Sequence, residues 1–340
     1  MKPVAALLCL LALVPVTGCR LLPPAAPPTS LHGFAFLPGA SAPLGSDRAR
    51  RALLRLRATG ANSLCLVVFL RQDGPRAVAL RPPRSGARQI LATLRAARAL
   101  GLHTVLKPQV LPRTGWAGVI APRDRGRWFR HYRAQLVRLA RLAEAAGADA
   151  FVVGTELRRL ADAPEWGGLI TALRRHFHGR LTYAAHGLEG LAAFRWWHRL
   201  DVVSLTLYPP LPADPDPERL RQVLVHRLHV ARALAPADKP LWVLEAGIPS
   251  ARGWERRPWD WSGLRAAGVV PDPALQARVL EAWVRAQRAT ALDGLWLWAW
   301  YSDPEAGGCR DTGYAIQGKP AVDRLRCHWR GDCREEIRCT

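Results

Sequence analysis

Eight short apolar runs, each followed by a longer amphipathic stretch, limit what this chain can fold into more than any other feature. The runs fall at Gly33–Leu37, Ser63–Leu70, His103–Val110, Ala150–Thr155, Leu181–Ala185, Val202–Leu207, Leu241–Leu244 and Leu295–Trp300. Each has the length of a strand and is apolar on both faces, as a strand covered on both sides must be. The clearest helical pattern spans Arg125–Ala146. There Trp128, Tyr132, Leu136, Leu139 and Ala143 share one stripe at helical spacing, and Arg130, Arg133, Arg138 and Arg141 lie off it. Further helical patterns cover Asp47–Thr59, Ser85–Leu100, Glu165–Phe177, Pro217–Leu234, Pro273–Ala291 and Lys319–Trp329. Glycine stops follow several of them, at Gly60, Gly101, Gly147 and Gly179. Eight strands alternating with helices predict an α/β chain closed into one (β/α)8 TIM barrel over residues 31–330. A doubly wound open sheet is the competing arrangement. It needs a glycine-rich phosphate turn after an early strand, and the sequence has none.

The N-terminus belongs to an address rather than to the barrel. Lys2 precedes an apolar run, Val4 to Val14, too short to span a bilayer as a mature helix, so residues 1–18 read as a secretory signal. The run ends in Val16-Thr17-Gly18-Cys19, which resembles the lipobox of bacterial lipoproteins. That resemblance implies a lipidated Cys19 and a membrane partner through the anchor, at the outer membrane if the host is Gram-negative. The Pro/Ala-rich residues 20–30 then form a tether. Cys309, Cys327, Cys333 and Cys339 crowd the end of the chain, the last two in a short tail, residues 331–340. In an oxidising compartment they predict two disulfides, with three pairings open. A zinc site is the rival, but no Cys-x-x-Cys spacing is present. Cys65, in an apolar strand, reads as a small buried hydrophobe.

A formal charge of +22 suggests nucleic acid at first. The excess is nearly all arginine, scattered over every helix, with no cationic cluster interleaved with stacking aromatics. No nucleic-acid partner is expected; a cationic body can instead adhere to anionic envelope surfaces. The sequence carries no signal for a particular oligomeric state.

Barrel active sites stand at the C-terminal ends of strands. The residues there are Phe36, Arg71, Lys107, Gln109, Glu156, His186, Tyr208, Glu245, Trp298 and Trp300. Glu156 ends the fourth strand and Glu245 the seventh. An ionised carboxylate at the tip of an apolar strand is costly unless it is paired or does chemistry. Pairing with rim arginines would explain either glutamate alone. Two of them facing each other across one mouth fit a glycosidase, which needs a proton donor and a second carboxylate and calls for no metal or cofactor.

These residues resemble the large clan of retaining (β/α)8 glycosidases, in which glutamates end strands four and seven. More narrowly the chain is similar to glycoside hydrolase family 113, whose known members are β-mannanases. The matching segments are Lys107-Pro-Gln-Val110, Trp116-Ala-Gly118, Trp128-Phe with Tyr132, Phe151-Val-Val-Gly-Thr-Glu-Leu157, Leu200-Asp201 leading to Tyr208, Lys239-Pro-Leu with Glu245-Ala-Gly247, and Gly318-Lys-Pro-Ala321. Carried over by position, the resemblance implies Glu156 as acid/base, Glu245 as nucleophile and a β-glycan substrate, with β-mannan or manno-oligosaccharides first. Two positions depart from the pattern. Thr155 stands where the clan usually has an Asn that binds the sugar 2-hydroxyl, and Gln109 stands where the family often has His.

The supporting residues follow from sugar chemistry. Tyr208 is expected to hydrogen-bond Glu245, or else to be a rim tyrosine. Lys107 and His186 are candidates for binding hydroxyls, with structural ion pairing or capping as the alternative for each. Trp300, nearest the tip of the last strand, is expected to be the platform under the cleaved sugar, with Trp298 also binding substrate and Trp296 filling the core. Trp116 is a candidate for a further subsite. Trp254, Trp259 and Trp261 are expected to extend the cleft, with packing of their own loop as the alternative, and Asp201 is expected to be structural. Competing functions are a hydrolase or transglycosidase acting on another β-glycan or envelope polysaccharide, and a catalytically idle glycan-binding surface lipoprotein.

Overall fold

The computed structural model describes residues 30–213, 216–333 and 339. The expected signal, Cys19 and the tether lie outside them. Strand and helix alternate as β1 (Leu31–Leu37), α1 (Asp47–Ala58), β2 (Ser63–Gln72), α2 (Ala87–Ala99), β3 (His103–Pro112), α3 (Arg125–Ala146), β4 (Ala150–Thr155), α4 (Glu165–Arg174), β5 (Arg180–His186), α5 (Gly187–Ala193), β6 (Val203–Thr206), α6 (Pro217–Leu234), β7 (Leu241–Ala246), α7 (Pro273–Ala289), β8 (Gly294–Tyr301) and α8 (Ala321–Arg330). The strands are parallel and close on themselves through β1 and β8, so the expected (β/α)8 barrel is the fold. The sequence reading passed over α5, a seven-residue helix with two glycines.

A repeated polar contact sets the register at the base of the barrel. A side chain just before each even-numbered strand accepts the N–H at the start of the odd strand before it. Asn62 takes His32, Asp149 takes Thr104, Asp201 takes Leu181 and Asp293 takes Leu241, at 2.6–2.8 Å. These N–H groups sit where the ladder begins and would otherwise go unpaired. Asp201 is therefore structural, and Arg174 pairs with it from α4.

Inside the barrel a layer that includes Cys65, Val105, Val152, Trp242, Leu244 and Trp296 fills the lower half. Burial pushes the Cys65 thiol up to about 12, so it stays protonated and inert. Outside, aromatic side chains clamp β4. Tyr132 of α3 donates to the Val153 carbonyl at 3.0 Å, and Trp166 of α4 lies over Gly154. A Cβ at position 154 would stand 2.6 Å from the Trp166 ring and 2.9 Å from Tyr183, so glycine is what lets the indole seat there.

The four terminal cysteines form two disulfides, Cys309–Cys339 and Cys327–Cys333. Cys65 is the free cysteine among the described residues.

Candidate active site

The strands deliver their tips to one mouth, and irregularities in the ladder aim the side chains there. Register shifts place an extra residue on β4 between Val152 and Thr155, and on β7 between Val243 and Ala246 against both β6 and β8. An extra residue in a strand turns the side chains beyond it toward the other face. Glu156, just past β4, also has φ +55°, a left-handed conformation that costs a non-glycine residue energy. Its N–H donates to the Ala184 carbonyl at 2.8 Å and its own carbonyl accepts from Arg158, which holds the turn in place.

Thr206 joins the two carboxylates. Its hydroxyl donates to Glu156 Oε1 at 2.6 Å, while its backbone is in register with Glu245 on the adjoining strand. The sequence reading missed it and named only Tyr208 on that strand. The available signal was a hydroxyl residue one side-chain period before Tyr208, on the same face.

Each glutamate has its own surroundings. Glu156 Oε1 also lies 3.2 Å from His186 Nδ1, and the imidazole packs on Trp116 with ring centres 4.5 Å apart. Glu156 Oε2 makes no hydrogen bond among the described residues. Glu245 has both oxygens engaged: Oε1 pairs with the buried Lys107 ammonium, and Oε2 accepts from the Tyr208 hydroxyl at 3.1 Å. Burial and the charge of Glu245 raise Tyr208 well above its ordinary range, so it stays a donor. Lys107 also reaches Gln109 Oε1 at 3.4 Å and stands 5.1 Å from the centre of the Trp298 ring.

The carboxyls titrate as a pair. Burial pushes Glu156 up, but the hydrogen bond and charge of His186, with the Thr206 hydroxyl, outweigh it and hold the group below the ordinary glutamate range. Burial also pushes Glu245 up; Lys107 pulls it back, and the charge of Glu156 leaves it above that range. Around Glu156 the His186 hydrogen bond is the larger stabilising influence and the His186 charge adds to it, while Glu245 has the Lys107 ammonium and the Tyr208 phenol.

The structure corrects the expectation for Trp300. Its indole N–H donates to the Ala52 carbonyl of α1 at 3.2 Å and its ring packs on Phe34, 4.9 Å away, in the layer between barrel and helices. The cause is a bulge: Phe34 pairs with Leu297, but Phe36 pairs with Trp300, so β8 carries one residue more than β1. Past that point the alternation reverses, and both Phe36 and Trp300 face outward into the core. Trp298 is the tryptophan at the mouth. It packs with Tyr314 and Tyr208, and its buried indole N–H has no hydrogen-bond partner among the described residues. The Trp298–Ala299 peptide is cis. Trp254 is corrected as well, since it packs inward and donates to the Asp260 carbonyl, whereas Trp259 and Trp261 are exposed. Both residues that depart from the family pattern have partners on β3. The Thr155 hydroxyl is turned away to the Pro108 carbonyl at 3.1 Å, and Gln109 stands at the β3 tip beside Lys107.

A neighbouring anion and proton donor in a polar mouth suit acid–base and nucleophilic work on a sugar. Comparison with known proteins agrees. Among curated protein sequences no match was found. Among solved structures, a β-1,4-mannanase of family 113 in complex form superposes with a TM-score of 0.77 at 23% identity, covering 88% of this chain and 98% of that one. A family 113 β-mannanase from Alicyclobacillus acidocaldarius matches at 27% identity with a TM-score of 0.74, covering 88% and 96%. A β-glucuronidase from Ruminococcus gnavus shares the fold at 13% identity and a TM-score of 0.59, and this chain spans about half its length. The sequence profile of Glycoside Hydrolase Family 113 matches residues 36–319, most of the chain, and the protein belongs to that family of glycoside hydrolases.

Proposed function

We propose that this hydrolase cleaves β-linked glycans with retention, through Glu245 as nucleophile and Glu156 as acid/base, and that its substrate is β-mannan or manno-oligosaccharide. The observation that carries the reading is the complementary treatment of the two carboxyls. Both oxygens of Glu245 face donors that stabilise its anion, while Glu156 Oε2 has no hydrogen-bond partner among the described residues. A Glu245 oxygen attacks the anomeric carbon as the bond to the leaving oxygen breaks, and the proton of Glu156 goes to that oxygen. Glu156 then takes a proton from water, whose oxygen attacks the same carbon and releases Glu245. The substrate assignment is supported by the family and by its relatives described as β-mannanases.

Release of reducing sugar from a panel of β-mannans, β-glucans and aryl β-glycosides tests the activity, and no release from any of them refutes it. Glu245→Gln should lower kcat by at least about 10³-fold on every substrate cleaved. Glu156→Gln should damage poor leaving groups far more than activated aryl ones, because only the former need the proton. Equal loss on both would remove the acid/base role.

The proposal includes the address. The pattern from Lys2 through Val16-Thr17-Gly18-Cys19 supports an exported protein held at the cell envelope by lipid on Cys19. Fatty-acid labelling that persists in Cys19→Ser would overturn it.

A further inference from the structure

The outer wall of the barrel carries a groove of about 470 Å³ between α3 and the end of α4. Arg130, Arg133, Arg138 and Arg141 of α3 form one side, and Arg175 and His176 just past α4 form the other. Ala134, Val137 and Ala172 make a small apolar floor. The five arginines are exposed, and none of them lies in an ion pair among the described residues. The carboxylates of α3 and α4 are committed at the two ends. Glu165, which opens α4, pairs with Arg125, and Glu144, near the end of α3, pairs with His178. The Arg141 guanidinium donates to His176 Nε2 at 3.5 Å, which brings no negative charge to the groove.

Such a row is unfavourable on its own. Arg130 with Arg133, and Arg138 with Arg141, are like-charge neighbours three positions apart, which repel and weaken a helix. Elsewhere the chain matches exposed guanidiniums with carboxylates, as in Arg98 with Asp149 and Arg221 with Glu218. Here a bound anion would supply the missing charge. From residue 130 to residue 141 the row runs about 16 Å along the helix, so it faces several charges in line and not one. Guanidiniums stand on both walls. A tetrahedral phosphate turns different oxygens to each wall, whereas a carboxylate offers one planar edge, and arginine grips phosphate through paired N–H donors. No aromatic ring lines the groove, so bases have no platform there. The large apolar side chains that are exposed lie on other elements, so nothing in the groove enters a bilayer.

We propose that the α3–α4 groove binds a linear polyanion whose charges are phosphate esters and which carries no bases. The groove is on the outer face of the helices, while Glu156 and Glu245 stand at the strand tips, so the polyanion and a substrate in the mouth occupy different surfaces. The site holds the protein against a phosphorylated polymer and does no chemistry on it. It stands independently of the hydrolase reading.

The probe is end-labelled linear inorganic polyphosphate, with binding to the full chain in neutral detergent read by fluorescence anisotropy. Binding to the wild type should weaken steeply as salt rises, because each phosphate met by an arginine releases counterions. Arg133→Gln, Arg138→Gln, Arg141→Gln and Arg175→Gln together should raise Kd at least about tenfold and flatten the salt dependence. The control is Arg50→Gln, Arg51→Gln, Arg84→Gln and Arg88→Gln together. It removes the same charge from exposed, unpaired positions on other elements and should raise Kd less than about twofold. Arg138→Gln with Arg141→Gln alone should cost about threefold and covers the case in which the fourfold variant fails to fold. Equal losses in the two fourfold variants mean that binding follows net charge, and they overturn the groove. Single-stranded DNA and a polyuronate of equal charge should both bind more weakly than polyphosphate. Either one binding as tightly overturns the assignment of the ligand.

Discussion

Lys107 is the residue on which the electrostatics of the mouth turn. It is fully buried, ion-paired to Glu245 and close enough to Glu156 that its charge lowers both carboxyls. Removing one partner of a buried pair leaves the other charge uncompensated. The sign for activity follows from the two roles. The rate constant kcat/KM rises as the nucleophile loses its proton and falls as the acid loses the last one. Lys107→Met removes the charge, both carboxyls move up, and both limbs of the pH–rate profile should shift to higher pH. A profile on an aryl β-glycoside measures this, and limbs that stay in place would mean the lysine is screened from both glutamates. Ion pairing and hydroxyl binding are both open for Lys107 in the sequence, and nothing there names Glu245 as its partner. The two stand 138 positions apart, and only closure of the barrel brings β3 opposite β7.

Among the elements, β8 separates what periodicity can show from what it cannot. Its limits and place in the barrel were readable from an apolar run, and so were the tips of β4 and β7, because each element there repeats with its own period. A bulge leaves no such trace. It depends on pairing with β1, and it turns Trp300 into the core while Trp298 stays at the mouth. This placement is testable in stability and activity together. Trp300→Ala should cost about 3–5 kcal/mol of folding stability by opening a cavity between β8 and α1, while its folded fraction keeps kcat within a few-fold. Trp298→Ala should lower kcat/KM by at least about tenfold, because it removes a ring that packs beside Lys107 and Tyr208. Chemical denaturation and steady-state kinetics on the pair measure both effects. The opposite assignment would restore Trp300 as the platform. Thr206 was lost for a similar reason, since its importance comes from a neighbour on β4 that only the barrel supplies.

For the molecule as a whole, the two ends of the described chain meet the barrel on opposite faces. The chain enters at the base with Leu31, and Cys339 is tied back to Cys309 on the loop after β8, on the side of the mouth. Disulfides persist in an exported protein and not in a reducing cytosol, in keeping with the export proposed above. Cys309–Cys339 spans a separation of 30 residues that includes α8. In the chain-entropy account, opening a loop of that size costs about 3–4 kcal/mol. Closure of the barrel through β1 and β8 does not pass through it, and Trp329 of α8 still packs on Phe34 and His32. The effect should then be on stability and not on the fold. A domain of this size loses roughly 1.5 °C of Tm per kcal/mol, so Cys309→Ser with Cys339→Ser should lower Tm by about 5 °C. The double variant should keep its turnover at 25 °C on an aryl glycoside. Calorimetry with and without a reductant supplies the check, because reduced wild-type protein should melt no higher than the double variant. If reduction leaves Tm unchanged, the bond constrains nothing in the unfolded chain, and the stability of the domain lies in the barrel alone.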